Sequence, residues 1–324
     1  MAGRIPKVVV VGPSYVDIAI KCHQVPQPGQ IVDGGGLSCN PSGPGPNRAI
    51  EAALCDCESY LVSKIGEDVF GQMVCGNLEK NNVATEFVYI AQAMSTGVAV
   101  TMVDSLGENS GCVSVGSNRA LSKDEVECAE VEQLISSADV CLIHGDLPVD
   151  VVKSTIRTAG IYKTKVILEI EVPIRDSSEI GGLGWPIEYF SANVLIPVFH
   201  HEGPIAGAEQ GAGIVHKHKL IASEFVARGA ESVILKMGMR GFFIVERSGM
   251  RQITGIEGQG VLNHTNGGDA FAGALAASVG AGDELAIAVK FAAAAAAIAA
   301  EKNDTNEALA SKQEIIQLLL NQPD

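Results

Sequence analysis

The sequence predicts an α/β protein in which a central, mostly parallel sheet carries helices on both faces and a small β-sheet projects from it as a lid. Three observations carry that prediction. Apolar runs recur along the chain: KVVVVG (7–12), SYLVSKIG (59–66), DVCLIHGD (139–146), KVILEIEVP (165–173), NVLIPV (193–198) and SVILKMG (232–238). Strands that are apolar on both sides belong in a parallel sheet covered on both faces. The segments between them, such as EDVFGQMVCGNLEKNN and VVKSTIRTAGIY, space their apolar residues as helices do, which is the rhythm of βαβ units. Two stretches break this rhythm. Residues 18–47 alternate short β-like pieces with Gly and Pro, and TGVAVTMVDSLGENSGCVSV (96–115) alternates with period two around Ser105–Asn109, as a hairpin does. Strands without following helices predict the separate small sheet, drawn from about 15–45 and 96–116, with 1–324 forming one domain around it.

Length and composition fit this architecture. The chain has 324 residues, 47% of them hydrophobic, enough for a large core. A formal charge of −15 argues against nucleic acid or an anionic membrane as partner. The segment ELAIAVKFAAAAAAIAAEKND is interrupted by Lys290 and rich in alanine, so it reads as a buried helix rather than a membrane span. All eight cysteines fall within the first 141 residues, without a Cys-x-x-Cys. The four valines near the N-terminus run into Gly-Pro, too short a stretch for a signal peptide, so reduced thiols in a cytoplasm are expected.

In open parallel sheets, ligands bind beyond the carboxyl ends of the strands. Those ends here lead into Pro13–Asp17, into Asp146 and into Met239–Gly241. An aspartate at such a place is ordinarily a cap or turn former. The richest stretch is VLNHTNGGDAFAGAL (261–275). Small residues at Asn266, Gly267 and Gly268 let backbone N–H groups converge at the start of a helix predicted over 270–279, where the dipole adds positive potential. Asp269 would repel an anion held there unless its task is to remove a proton. A hydroxyl attacking a phosphoryl group in line must lose its proton; a carboxylate beside the nest takes it while the nest holds the developing charge. The same stretch is equally compatible with Asp269 as a helix cap.

HTNGGDAF resembles the second signature of the ribokinase-like (PfkB) carbohydrate kinases, read as (D)TxGAGDxF, and SGPGPNRA (42–49) resembles their N-terminal GGKGANxA. STGVAVTMVDSLGENSGCVSVGSNRALS (95–122), SKIGEDVFGQ (63–72) and KMGMRG (236–241) also fit, nearest to the ribokinase members; the likeness is weak between about 169 and 230. The resemblance implies ATP-dependent phosphorylation of a hydroxymethyl group, with ribose or a related furanose as acceptor. It makes Asp269 the base and Asn266, Gly267 and Gly268 the anion hole. Asp17, Gly43 and Asn47 match sugar contacts, with Tyr15 and Pro44 in the same pocket, and Asp146 stands where a contacting glutamate is usual. Lys236, Gly238 and Gly241 match the nucleotide loop. The resemblance also implies Mg2+, a monovalent cation, and a homodimer through the lid, whose outer face would expose Val98, Val100 and Met102.

The departures are specific. Asn266 replaces a glycine, Pro44 and Pro46 replace a lysine and an alanine, and Tyr15 replaces an asparagine. The family's N-x-x-E motif falls near Val198–Glu202 with neither end in register, leaving Glu202, one residue beyond, as the nearest candidate to orient a metal's waters. Asn263 stands where an aspartate is linked to the monovalent cation. Magnesium is therefore expected to bind more weakly than in relatives that keep the motif, and potassium to activate little. Two alternatives stay open: a nucleoside kinase of the same fold, with Tyr15 against a base, and a kinase-like binder with little turnover. His200-His201-Glu202 and His216-Lys217-His218 read as exposed helix or loop rather than metal ligands, and Trp185 reads as a packing residue.

Overall fold

Strand β1 (Lys7–Val11) explains why the apolar runs do not alternate. Val8 and Val10 enter one hydrophobic core while Val9 and Val11 enter another, so both sides of the strand are covered. The protein, described here by a computed structural model, comprises residues 4–106, 109–174, 184–201, 212–256, 264–302 and 308–322. After β1 come β2 (Tyr15–Cys22), β3 (Gly34–Ser42), α1 (Pro44–Leu54), β4 (Glu58–Gly66), α2 (Val69–Lys80), β5 (Val83–Ala84), β6 (Val88–Ala91), β7 (Gly97–Val103) and β8 (Asn109–Ser114). Then follow α3 (Lys123–Val126), α4 (Ala129–Ser137), β9 (Val140–His144), α5 (Val149–Tyr162), β10 (Lys165–Ile174), β11 (Val194–His201), α6 (Ala212–Arg228) and β12 (Ser232–Lys236). The chain closes with β13 (Phe242–Glu246), β14 (Gly249–Ile253), α7 (His264–Ala281), α8 (Leu285–Glu301) and α9 (Lys312–Leu320).

The main sheet runs β14-β13-β12-β11-β10-β9-β1-β4-β5, with β6 also on β4. Its pairs are parallel from β12 through β5, and β13 and β14 add an antiparallel edge. One core lies under α1, α7 and α8, the other under α4, α5 and α6. The alanine-rich segment is α8, packed on α7 with most of its alanines buried. Among the described residues, no helix is long and apolar enough to cross a membrane.

The second sheet has the order β3-β2-β7-β8. Paired residues point to the same side of a sheet, so its register sets Asp17, Asn40, Ala99 and Val113 on one face. Ile18, Cys39, Val100 and Cys112 lie on the other. Here the sequence reading needs correction: Val98, Val100 and Met102 are half-buried rather than exposed, and Ile18 and Cys39 on the same face pack against the first core. The exposed large apolar residues of these strands are Leu37 and Val113.

Three further expectations change. Helix α7 is already formed at His264, six residues before the predicted start. His200 and His201 end strand β11 rather than lying in a helix or loop. In α6, His216 is exposed but His218 is buried, its ring stacked on Phe199 at 3.8 Å. Trp185 packs on Phe225, with ring centroids 5.1 Å apart.

Candidate active site

The site begins where the end of β1 meets the start of α1. Gly45 N donates to Pro13 O at 2.9 Å, and a Cβ on Gly12 would lie 2.8 Å from Gly45 Cα, so two backbones touch there. Gly43, with φ of 105°, caps α1; a side chain would be strained by that φ and would meet Tyr15 N at 2.8 Å. Pro44 then occupies the first turn, where a missing N–H costs nothing. These contacts draw α1 into the interior, and its residues from Gly45 to Ala52 are all buried. Its approach to α7 is equally close: a Cβ on Gly273 would lie 2.6 Å from Arg48 O. Gly273 and Asp269 are four residues apart, on one face of α7, so the contact that needs Gly273 brings Asn47 and Arg48 against Asp269.

Asn47 Nδ2 donates to Asp269 Oδ2 at 3.0 Å, and Arg48 Nε donates to Asp269 Oδ1 at 2.9 Å. Arg48 Nη2 donates to Glu169 Oε1 on β10, and Lys236 Nζ, at the end of β12, donates to Glu169 Oε2 at 2.8 Å. Four charges thus form one chain, Asp269–Arg48–Glu169–Lys236. Burial opposes the charge of Glu169, but the Arg48 and Lys236 cations hold its pKa at about 2. Burial, then the Arg48 charge, pushes His144 down to about 3. The imidazole is therefore neutral near pH 7, and its Nδ1 accepts from Asp146 N at 3.3 Å. Its 3.8 Å approach to the Asp146 carboxylate is accordingly no ion pair.

Asp269 lies inside α7, and its oxygens accept from two side chains of α1. The helix-cap alternative is thereby excluded. Burial raises the pKa of Asp17 against a lowering hydrogen bond from Ser42, and the Asp269 charge raises it further, so these two carboxylates sense each other. Burial, then the Asp146 carboxylate, likewise raises Tyr15. Gly238 and Gly241, with φ of 55° and 75°, form a tight turn after β12, in which a Cβ on Gly241 would lie 2.3 Å from Ile253 O. The side chain of Lys236 leaves this turn and reaches Glu169 instead. Two buried donors, Arg48 Nη1 and Asn266 Nδ2, have no hydrogen-bond partner among the described residues. Glu202 and Asn263 lie outside the described residues.

The structure therefore brings Asn47, Asp269 and Lys236 together, sets Asp17 within their field, and places Tyr15 near Asp146. Sequence reasoning missed Arg48 and Glu169. The available signals were an arginine inside the small-residue helix start SGPGPNRA and a carboxylate interrupting the buried strand VILEIEV.

The sequence pattern of the pfkB family carbohydrate kinases matches residues 5–312. The chain belongs to that family. This carbohydrate kinase is 24% identical over 315 residues to the ribokinase of Schizosaccharomyces pombe, covering 95% of this chain and 96% of that one. The solved structure of Arabidopsis thaliana ribokinase complexed with ribose and ATP superimposes with a TM-score of 0.83 at 21% identity, over 98% of this chain and 99% of that one. The Methanocaldococcus jannaschii nucleoside kinase, from the ribokinase family, superimposes with a TM-score of 0.75 at 14% identity, over 99% of this chain and all of that one.

Proposed function

We propose that this carbohydrate kinase uses ATP to phosphorylate the hydroxymethyl group of ribose or a related furanose, with Asp269 as general base. The observation that carries the reading is a carboxylate in the first turns of α7 whose two oxygens accept from Asn47 and Arg48 of α1. Each oxygen keeps a second lone pair for a substrate hydroxyl. The hydroxyl oxygen forms a bond to the γ-phosphorus, the bond from that phosphorus to ADP breaks, and the hydroxyl proton passes to Asp269. Because α7 starts at His264, its unbonded N–H groups are those of the first turn, up to Asn266, and these suit the charge that develops. Asp17 and the Oδ1 of Asn47 suit sugar hydroxyls, and Gly43 and Pro44 leave the backbone bare beside them. Tyr15 and Asp146 bound the far side of that pocket, and the Gly238–Gly241 turn suits the nucleotide.

Magnesium bound with the nucleotide would supply positive charge to offset that of the phosphates. Among the described residues no group of three or more His, Cys, Asp or Glu side chains could hold a metal ion. With Asn263 in place of a carboxylate, potassium activates little; strong activation of the natural protein would refute that point. The small sheet is read as a lid and as the C2 dimer contact, in a cytoplasmic protein; a monomer in light scattering would refute the dimer. ADP release measured against a panel of pentoses, hexoses and nucleosides tests the whole reading. Turnover highest with ribose or a close furanose is expected. Preference for nucleosides would favour a nucleoside kinase, for which Tyr15 offers a ring. Binding without turnover would make the protein a kinase-like binder.

A further inference from the structure

Lys236 differs from the other charged groups around Asp269 in one respect. The side chains of Arg48, Glu169 and Asp269 are 3–8% exposed, whereas that of Lys236 is 25% exposed, so this cation alone in the cluster reaches the open side of the site. Its Nζ lies 4.0 Å from where a Cβ on Gly268 would be, and among the described residues, apart from the chain neighbours of Gly268 and the adjoining backbone of α7, no other atom comes within 4 Å of that point. Gly268 therefore leaves the ammonium facing the bare helix backbone. Among the described residues only one of its three N–H groups is taken, by Glu169. Glu169 is also paired with Arg48, so Lys236 is not its sole source of compensating charge.

We propose that Lys236 is a direct ligand of the transferred phosphoryl group, an inference that rests on the reading of the chain as an ATP-dependent kinase. The Arg48–Glu169 pair positions the ammonium, and Gly268 opens its path to the phosphoryl oxygens. The unpartnered Asn266 Nδ2, buried on the same turn of α7, points to the same conclusion, because a buried donor without an acceptor suits an oxygen-rich ligand. Val198 and His201 occupy the two ends of the family's N-x-x-E motif, so neither supplies the side chain usual there. Lys236 brings a fixed protein charge to the oxygens around the γ-phosphorus. It neither gains nor loses a proton in the step; the hydroxyl proton still goes to Asp269 and ADP still leaves.

The test is nucleotide binding without sugar, by titration calorimetry with ADP and with the β,γ-imido analogue of ATP. Lys236→Gln is expected to weaken the triphosphate analogue by roughly ten- to hundredfold, the worth of one charged hydrogen bond, while ADP binding changes little. Lys236→Arg should keep most of the preference. A second measurement needs no variant: in the natural protein, the triphosphate analogue but not ADP should protect Lys236 from amine acylation, read by mass spectrometry. Equal weakening of both nucleotides, no weakening, or equal protection by both would show Lys236 to be only a partner of Glu169. A natural protein that binds neither nucleotide would sink the ATP-dependent reading itself, and this inference with it.

Discussion

Arg48 and Glu51 lie three residues apart on the same helix, 2% and 0% exposed, and the fold treats them in opposite ways. Arg48 stays charged: burial works against it, but Glu169 and Asp269 more than offset that cost. Glu51 has Ala310 N at 3.0 Å, a weak thiol contact from Cys55 at 3.9 Å and the more distant charges of Lys302 and Glu314. Burial dominates there and pushes its pKa up to about 8, so near pH 7 it holds a proton. Opposite charges at this spacing on a helix ordinarily suggest a local pair. Instead one side chain turns to the face of α7 that carries Asp269 and the other to the segment before α9. A buried charge persists where several partners converge, and elsewhere the group neutralises itself.

Removing charge from the ionised side should show the largest effect. Asp269→Asn is expected to lower turnover by about 10²–10⁴-fold, the usual worth of a general base, while calorimetric binding of sugar and nucleotide survives. Turnover near that of the natural protein would reduce Asp269 to a structural anchor for Arg48.

Arg48→Met should come next, with a loss of about 3–5 kcal/mol in urea unfolding, because it leaves Asp269 without a counter-charge and Glu169 with Lys236 alone. A loss below about 1 kcal/mol, the range of an exposed pair, would mean that the cluster is not energetically coupled.

The neutral side should respond least, and in the opposite direction. The folded pKa of Glu51, about 8, lies above its unfolded value. Its bound proton therefore stabilises the fold fully below the unfolded pKa, and that contribution is lost as pH rises toward about 8. Glu51→Gln removes this slope, so the variant's Tm should rise relative to the natural protein as pH increases, by several degrees at pH 8.5 and little at pH 5. An equal difference at both pH values would show that Glu51 is ionised throughout.

Much of this arrangement is legible in the sequence, because local chemistry determines it. The apolar runs specify the strands, Gly43 and Pro44 specify the start of α1, and Asn266–Asp269 specify a small-residue helical stretch with a carboxylate on it, though not where that helix starts. Arg48 and Glu169 are not legible, since their partners lie 121 and 221 residues away from Arg48 and arise only when β10 and α7 meet α1. The role of Asp269 was ambiguous for a related reason: a cap and a base look alike until the helix start is known. The sequence alone sets Val98, Val100 and Met102 on an exposed face because alternation reveals that a strand has two faces, not which of them meets the core.

Little side chain separates α7 from its neighbours. A Cβ on Gly267 would lie 3.2 Å from Ala296 O, as one on Gly273 would crowd Arg48 O. Contacts of main chain on main chain have few rotamers to rearrange and few small voids to collapse. Asp269 thus rides on a stiff part of the kinase, while Asp17 rides on a four-stranded sheet that stands apart from the main one. The two carboxylates are mounted with different mechanical compliance. Under hydrostatic pressure the Asp269–Arg48 contact should hold nearly constant while the small sheet shifts, so the gap between Asp17 and Asp269 is the dimension of the site that yields first.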